Sequence, residues 1–100
     1  MYTGRMDRET LKALMIRNLV RLAKEQYKLP RAKSDCEITP GEWGTDMTCM
    51  CQAFSFELEL CGRNRTLELA GRVCLTEFPG TDNPPEVTGS IDEWNFKFFL

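Results

Sequence analysis

Two periodicities of apolar side chains run along this chain, and each predicts a different element. Over residues 7–28, apolar side chains recur every three to four positions and share roughly half of a helical projection. No glycine or proline interrupts this segment, Asp7 suits the N-cap position, and Leu29-Pro30 ends the pattern. The sequence therefore predicts an amphipathic helix over residues 7–28. Its apolar face consists of Leu11, Met15, Ile16, Leu19, Val20, Leu22, Ala23 and Tyr27.

The second periodicity is a two-residue alternation, which is typical of strands with one buried face. Within residues 48–61, apolar side chains occupy every second position from Phe54 to Leu60, and they do so again over much of residues 66–77. Residues 62–65 separate the two runs and begin with a glycine. We therefore predict a β-hairpin whose apolar faces coincide.

The register of this hairpin follows from the requirement that both apolar sets lie on one face. A turn centred on Arg63-Asn64 places Phe56 opposite Gly71, where the ring would cover bare backbone. A turn centred one position earlier suits a glycine-first hairpin and would place Cys51 opposite Cys74. We prefer the first register.

The remaining segments have weaker patterns. Prolines and glycines punctuate residues 30–47, so we predict an irregular segment in which residues 36–38 form at most a short edge strand. Residues 91–99 alternate again and predict the last strand, whereas Val87 begins a run that Gly89-Ser90 interrupts. The sequence thus predicts an α+β fold in which an N-terminal amphipathic helix packs on an antiparallel β-sheet of three to four strands.

Length and composition fit one domain covering residues 1–100, with the sheet in residues 48–100. Hydrophobic residues make up 42% and charged residues 28% of the chain, as in ordinary globular proteins. No apolar run approaches the ~20 residues of a membrane span, and the first residues do not resemble a secretory leader. We therefore expect a cytoplasmic protein that does not engage a membrane.

Charge is segregated along the sequence. Residues 1–33 carry nine basic and three acidic side chains, a net of +6, whereas residues 34–100 carry four basic and twelve acidic ones, a net of −8. The basic side chains of the helix form a stripe opposite its apolar face. This stripe consists of Arg17, Arg21, Lys24 and Lys28.

Each charged region suggests a contact surface. The basic stripe could meet nucleic-acid phosphates or an acidic partner, although a charged outer face is also ordinary for a solvated helix. The acidic half could present carboxylates to a basic groove of a protein. The residues concerned are Asp46, Glu57, Glu59, Glu68, Asp82, Glu86, Asp92 and Glu93, with Trp43, Trp94 and Phe99 as aromatic anchors.

The cysteines favour small packing roles over metal binding. Four thiolates could be supplied by Cys49, Cys51, Cys61 and Cys74. However, a single residue separates Cys49 from Cys51 on a strand, whereas structural zinc sites favour longer spacings on turns. The total of five cysteines is odd, which suits a reduced compartment. We expect no metal and no cofactor, and keep a cysteine-ligated zinc domain or a Cys51–Cys74 disulfide as alternatives.

Catalysis is not expected. The chain has no histidine, which excludes Ser-His-Asp and Cys-His catalysis, and no glycine-rich phosphate-binding motif. We therefore expect a non-enzymatic protein-binding module that regulates or inhibits a larger macromolecular machine by covering one of its surfaces. Such a role suits a small accessory protein of a bacterium or its virus. Nucleic-acid binding through the basic stripe is the alternative, and the sequence leaves the oligomeric state open.

Overall fold

The structure, a computed structural model, describes residues 7–46 and 49–100, except for the side chains of Trp43, Thr45 and Asp46. Within these residues, one helix precedes a five-stranded antiparallel sheet in which each strand pairs with the next along the chain. The elements are α1 (Arg8–Gln26), β1 (Lys33–Asp46), β2 (Cys49–Cys61), β3 (Thr66–Glu77), β4 (Glu86–Ile91) and β5 (Trp94–Phe99). The α+β prediction is confirmed, with five strands where three to four were predicted.

The helix ends two residues earlier than the apolar periodicity predicted. Lys28 adopts a left-handed φ of 60°, and the Leu29 N–H donates to the Lys24 carbonyl at 2.9 Å. This bond across the helix end belongs to the Schellman type of C-terminal cap. Lys28 therefore lies beyond the helix, although the sequence placed it on the helical stripe.

One face of the sheet packs against α1, and we call it the covered face. Leu11, Met15, Leu19 and Ala23 of α1 are buried in one cluster with apolar side chains of the sheet. Burying apolar surface in this way is the main stabilising contribution to such a fold. The buried sheet residues of this cluster include Ile38, Phe54, Phe56, Leu58, Leu60, Leu69, Val73, Leu75, Val87, Ile91 and Phe98.

Polar contacts fix both ends of α1 over this core. Near its N-terminus, the Arg8 guanidinium donates to the Glu77 carboxylate at 2.8 Å, and the Glu77 side chain is only 8% exposed. Beyond its C-terminus, the Tyr27 hydroxyl donates to Asp92 at 2.8 Å and accepts from the Trp94 indole N–H at 3.2 Å. The helix therefore has a fixed position along the sheet as well as a packed face.

The register of β2 against β3 confirms the preferred prediction. Phe56 lies opposite Gly71, and a Cβ added to Gly71 would lie 2.9 Å from the Phe56 ring. The alternative register is wrong, because Cys51 pairs with Thr76 and not with Cys74. The apolar alternation therefore determined which residues face each other.

Two sequence predictions need correction. The segment 30–47, predicted as irregular, contains β1, a full edge strand that tolerates Pro40 because a register shift follows it. Residues 91–99, predicted as one strand, include the end of β4, a two-residue turn and β5. The turn begins at Asp92, whose φ of 52° reverses the chain without a glycine.

Candidate functional site

The sheet face turned away from α1, which we call the open face, carries the most unusual charge arrangement of the molecule. In each strand, the positions between the core residues point to this side, and in β2 and β3 they are mostly exposed. Much of the face is polar or small, as expected for a solvated antiparallel sheet. One end of it, near the β2–β3 turn, is strongly acidic.

Five carboxylates occupy adjoining positions of β1, β2 and β3 at this end, and we call them the acidic patch. Strand pairing places Asp35 opposite Glu59 and Glu59 opposite Glu68, so three carboxylates form one row across the sheet. Glu37 and Glu57 form the next row. All five residues are exposed and line one shallow concave surface.

The acidic patch lacks compensating cations in the part of the chain that the structure describes. No lysine or arginine nitrogen there lies within 4.0 Å of any of the five carboxylates, since the ion pairs found involve other acids. Lys33 and Arg72 border the patch on the same face without pairing with it. Nor do the described residues include a group of three His, Cys, Asp or Glu side chains arranged to hold a metal ion.

This arrangement opposes stability. Like charges directly opposite each other on neighbouring strands are destabilising, and two unit charges ~5 Å apart in water repel by about 0.8 kcal/mol before screening by salt. Sequences tend to break such local rules at functional sites. The acidic patch is therefore the best candidate for a contact surface on this chain.

The basic stripe is less uniform in the structure than in the sequence. Arg21 contacts the Glu25 carboxylate at 3.5 Å and donates to the Asn18 side-chain oxygen at 3.2 Å. Arg17 and Lys24 remain on the helix, where Arg17 is exposed and Lys24 half-buried, and Lys28 lies past the helix end. The stripe thus includes an ion pair within the helix itself, as solvated helices commonly do.

The predicted aromatic anchors have different environments. Trp94 is half-buried on the covered face, where it donates to Tyr27 and packs against Phe96 with ring centroids 5.5 Å apart. The Trp94 side chain therefore stabilises the fold more than it offers a contact surface. The side chain of Trp43 lies outside the described residues, whereas Phe99 is 56% exposed on the open face beneath the Lys97 ammonium.

The cysteines do not converge. Cys61 is ten positions from Cys51 along extended β2, about 33 Å away, so the four thiols proposed as ligands cannot share one metal ion. Cys51 contacts the Thr76 hydroxyl at 3.5 Å. Burial, and then the neighbouring Cys51 thiol, raise the pKa of Cys74 above its ordinary value.

Cys61 borders the acidic patch. Its thiol donates to the Glu59 carboxylate at 3.2 Å, and this hydrogen bond is the main reason that the pKa of Cys61 is raised. The Cys61 thiol therefore keeps its proton to a higher pH than an ordinary cysteine does. A raised thiol pKa lowers the fraction of the nucleophilic thiolate.

The sequence predicted part of the acidic patch and missed the rest. Glu57, Glu59 and Glu68 were predicted contact residues, and the structure brings all three together. Asp35 and Glu37 were missed because β1 was not recognised as a strand; the alternation around Ile38 could have placed them on the open face.

The other acidic residues named from the sequence lie outside the patch. Glu86 pairs with Lys97 at 3.2 Å, and Asp92 accepts the Tyr27 hydroxyl. Asp82 and Glu93 are exposed in turns, and the side chain of Asp46 is not among those described. Proximity in sequence therefore did not bring these carboxylates to a common surface.

Compared with protein-family models, curated proteins and solved structures, the chain matches none. In the part of the chain that the structure describes, no helix is both long enough and apolar enough to span a bilayer. What the protein does has to follow from its own surfaces.

Proposed function

We propose that this chain is a non-enzymatic protein-binding module that regulates or inhibits a larger macromolecular machine by covering a basic surface on it. The observation that supports this function is the acidic patch: five exposed carboxylates on adjoining strands, with no described cation within 4.0 Å. A partner that supplies the missing positive charges would relieve their mutual repulsion. Binding would therefore be strongest at low ionic strength.

The density of charge favours a partner surface that is itself rich in lysine and arginine. Three adjacent strands span about 10 Å, so the acidic patch carries about one charge per 2 Å across the sheet. Duplex DNA carries one charge per ≈1.7 Å of helix axis. A basic groove that accepts a polyanion is thus a fitting target, and the chain would occlude it.

Nucleic-acid binding through Arg17, Arg21 and Lys24 is the second candidate. Exposure of Arg17 on the solvent side of α1 favours it. The Arg21–Glu25 pair and the acidic sequence pI near 5.2 weigh against it, because both reduce attraction to phosphates. A nucleic-acid interaction would be lost when the stripe is neutralised and kept when the acidic patch is neutralised.

Affinity capture with matched charge variants tests the proposal. The bait is the whole chain, used as wild type, as Glu57→Gln/Glu59→Gln/Glu68→Gln and as Arg17→Gln/Arg21→Gln/Lys24→Gln. Captured proteins from the native cell are quantified by mass spectrometry at low and high salt. We expect a protein retained by the wild type and the stripe variant, and reduced at least about ten-fold by the patch variant, because three interfacial charges are removed.

Two outcomes would count against the proposal. One is a partner retained by the patch variant and lost by the stripe variant, which would assign binding to α1. The other is the absence of any partner whose capture depends on the patch carboxylates at low salt. Circular dichroism of each bait keeps loss of folding apart from loss of binding.

A further inference from the structure

The two edges of the sheet differ in how they are protected from pairing with another strand. Edge strands present unpaired backbone N–H and C=O groups, and proteins commonly block them with prolines, bulges and charges. β1 has all three protections: Pro40, a register shift between Pro40 and Trp43, and charged side chains at every second position from Lys33 to Glu37. β5, the other edge, has neither proline nor register shift.

The single charge on β5 is already engaged within the chain. The Lys97 ammonium lies 3.2 Å from the Glu86 carboxylate and 5.3 Å from the centroid of the Phe99 ring. Along the other side of β5, Trp94 and Phe96 are only half-buried. Among the described residues, no strand pairs with the outer edge of β5, which therefore combines a regular backbone edge with incompletely covered aromatic side chains.

We infer that the outer edge of β5 pairs with the β5 edge of a second copy of this chain, forming a two-fold symmetric dimer with one continuous ten-stranded sheet. A two-fold interface requires a surface that is complementary to itself. Antiparallel pairing of β5 with β5 meets this requirement, because residues of the same face lie opposite each other in both of the registers centred on the strand, with the axis at Phe96 or at Lys97.

Charge selects one of the two registers. If the symmetry axis passes Lys97, the lysines of the two copies lie directly opposite each other, which is destabilising. If it passes Phe96, the two Phe96 rings meet, Trp94 of each copy lies opposite Phe98 of the other, and Asn95 lies opposite Lys97. The second register avoids every like-charge pair along β5 and joins the aromatic rows into one layer.

A second copy suits this edge better than an unrelated strand does. Each copy contributes the same three partly or fully buried aromatic side chains, Trp94, Phe96 and Phe98, so the pattern of one edge matches that of the other. Aromatic pairs across strands are favourable beyond the area they bury. The dimer edge lies two strands away from the acidic patch and leaves it exposed.

Asn95 allows a test with two changes of opposite effect. Its side chain is exposed on the open face, so substitution should leave the monomer fold intact. Asn95→Lys sets two lysines opposite Lys97 residues at the dimer seam, and Asn95→Glu creates two ion pairs there. By the size of cross-strand pair energies, we expect the dimer dissociation constant to change by about 2- to 30-fold in each direction, upward for lysine and downward for glutamate.

Sedimentation equilibrium of the wild type and both variants, from about 10 µM to about 1 mM, measures these constants. High salt should reduce the difference between the two variants. A wild type that stays monomeric throughout, or a dimer on which both substitutions act alike or not at all, would overturn the inference. Because the acidic-patch triple variant leaves β5 intact, it should dimerise like the wild type, so this result is separate from the outcome of partner capture.

Discussion

The two faces of the sheet follow opposite physical rules. On the covered face, apolar residues alternate in register, and Glu77, the one carboxylate buried there among the described side chains, is paired with Arg8. On the open face, the acidic patch sets like charges opposite each other over three strands. Both faces belong to the same strands, so β2 contributes Leu58 to the core and Glu57 and Glu59 to the patch.

The comparison separates the face that holds the fold from the face that we propose as the contact surface. The covered face can account for stability without the open face, because buried apolar contacts and paired polar groups are favourable by themselves. The acidic patch contributes repulsion instead. A surface that weakens its own fold is informative about function, since neutral residues at these positions would be better tolerated.

The largest effect is expected from overfilling the covered face at Gly71. A Cβ there would clash with the Ser90 carbonyl oxygen and lie 2.9 Å from the Phe56 ring. Gly71→Ala should therefore lower the free energy of unfolding by about 1–3 kcal/mol. Urea denaturation measures the change.

Gly44→Ala is the matched control. Nothing lies within 4 Å of a Cβ added at Gly44, so we expect a change within about 0.5 kcal/mol. Equal losses in the two variants would show that the close contact between Phe56 and Gly71 does not limit packing on the covered face.

A smaller effect of opposite sign is expected on the open face. Glu59 lies between Asp35 and Glu68 in one cross-strand row. Glu59→Gln should raise the free energy of unfolding by about 0.5–1 kcal/mol at low salt, because it removes two repulsive pairs. Thermal denaturation at two salt concentrations measures the gain, which should shrink as salt is added.

Glu25→Gln provides the comparison, since Glu25 contacts Arg21 at 3.5 Å. Removing this exposed pair should lower stability by no more than about 0.5 kcal/mol. If Glu59→Gln also lowers stability, then the acidic patch is compensated in solution and the contrast between the faces is lost.

A pH-dependent effect is expected for a thiol on the covered face. Burial, and then the negative charge of Asp35, raise the pKa of Cys36 to about 11 from an ordinary value of 9.0. The folded state therefore holds this proton more tightly than the unfolded state does. The contribution is fully present below pH 9 and is lost as the pH rises toward 11.

Urea denaturation of the wild type and Cys36→Ala, below pH 9 and near pH 11, isolates this contribution. We expect the wild type to lose more stability with rising pH than the variant does. An identical pH dependence in both proteins would mean that Cys36 titrates as an exposed thiol.

Periodicity predicted the elements in which one face is uniformly buried. The helix and the β2–β3 hairpin followed from it, including the pairing of Phe56 with Gly71. The same reasoning applied to Gly89 would have kept β4 continuous, because a Cβ there would lie 2.7 Å from the Phe96 ring. Gly89 therefore serves strand packing and does not interrupt β4.

β1 and the full acidic patch depend on strand pairing that local sequence patterns do not encode. β1 is an edge strand with few inward-facing apolar side chains, so tertiary pairing with β2 determines it more than its own sequence does. The acidic patch combines residues 35, 37, 57, 59 and 68, and only the strand order places them side by side. The net charge of residues 34–100 predicted that this part of the chain is acidic, but only the strand pairing shows how its carboxylates are arranged.

The contacts that fix α1 also determine when the chain can complete its fold during synthesis. Arg8 reaches Glu77 across 69 positions and Tyr27 reaches Asp92 across 65, so α1 is secured by residues that are made much later. A ribosome adds roughly 5–20 residues per second, which leaves the amphipathic helix exposed for several seconds. During that interval its apolar side has no sheet to cover, and a chaperone that shields nascent apolar segments would find its binding site there.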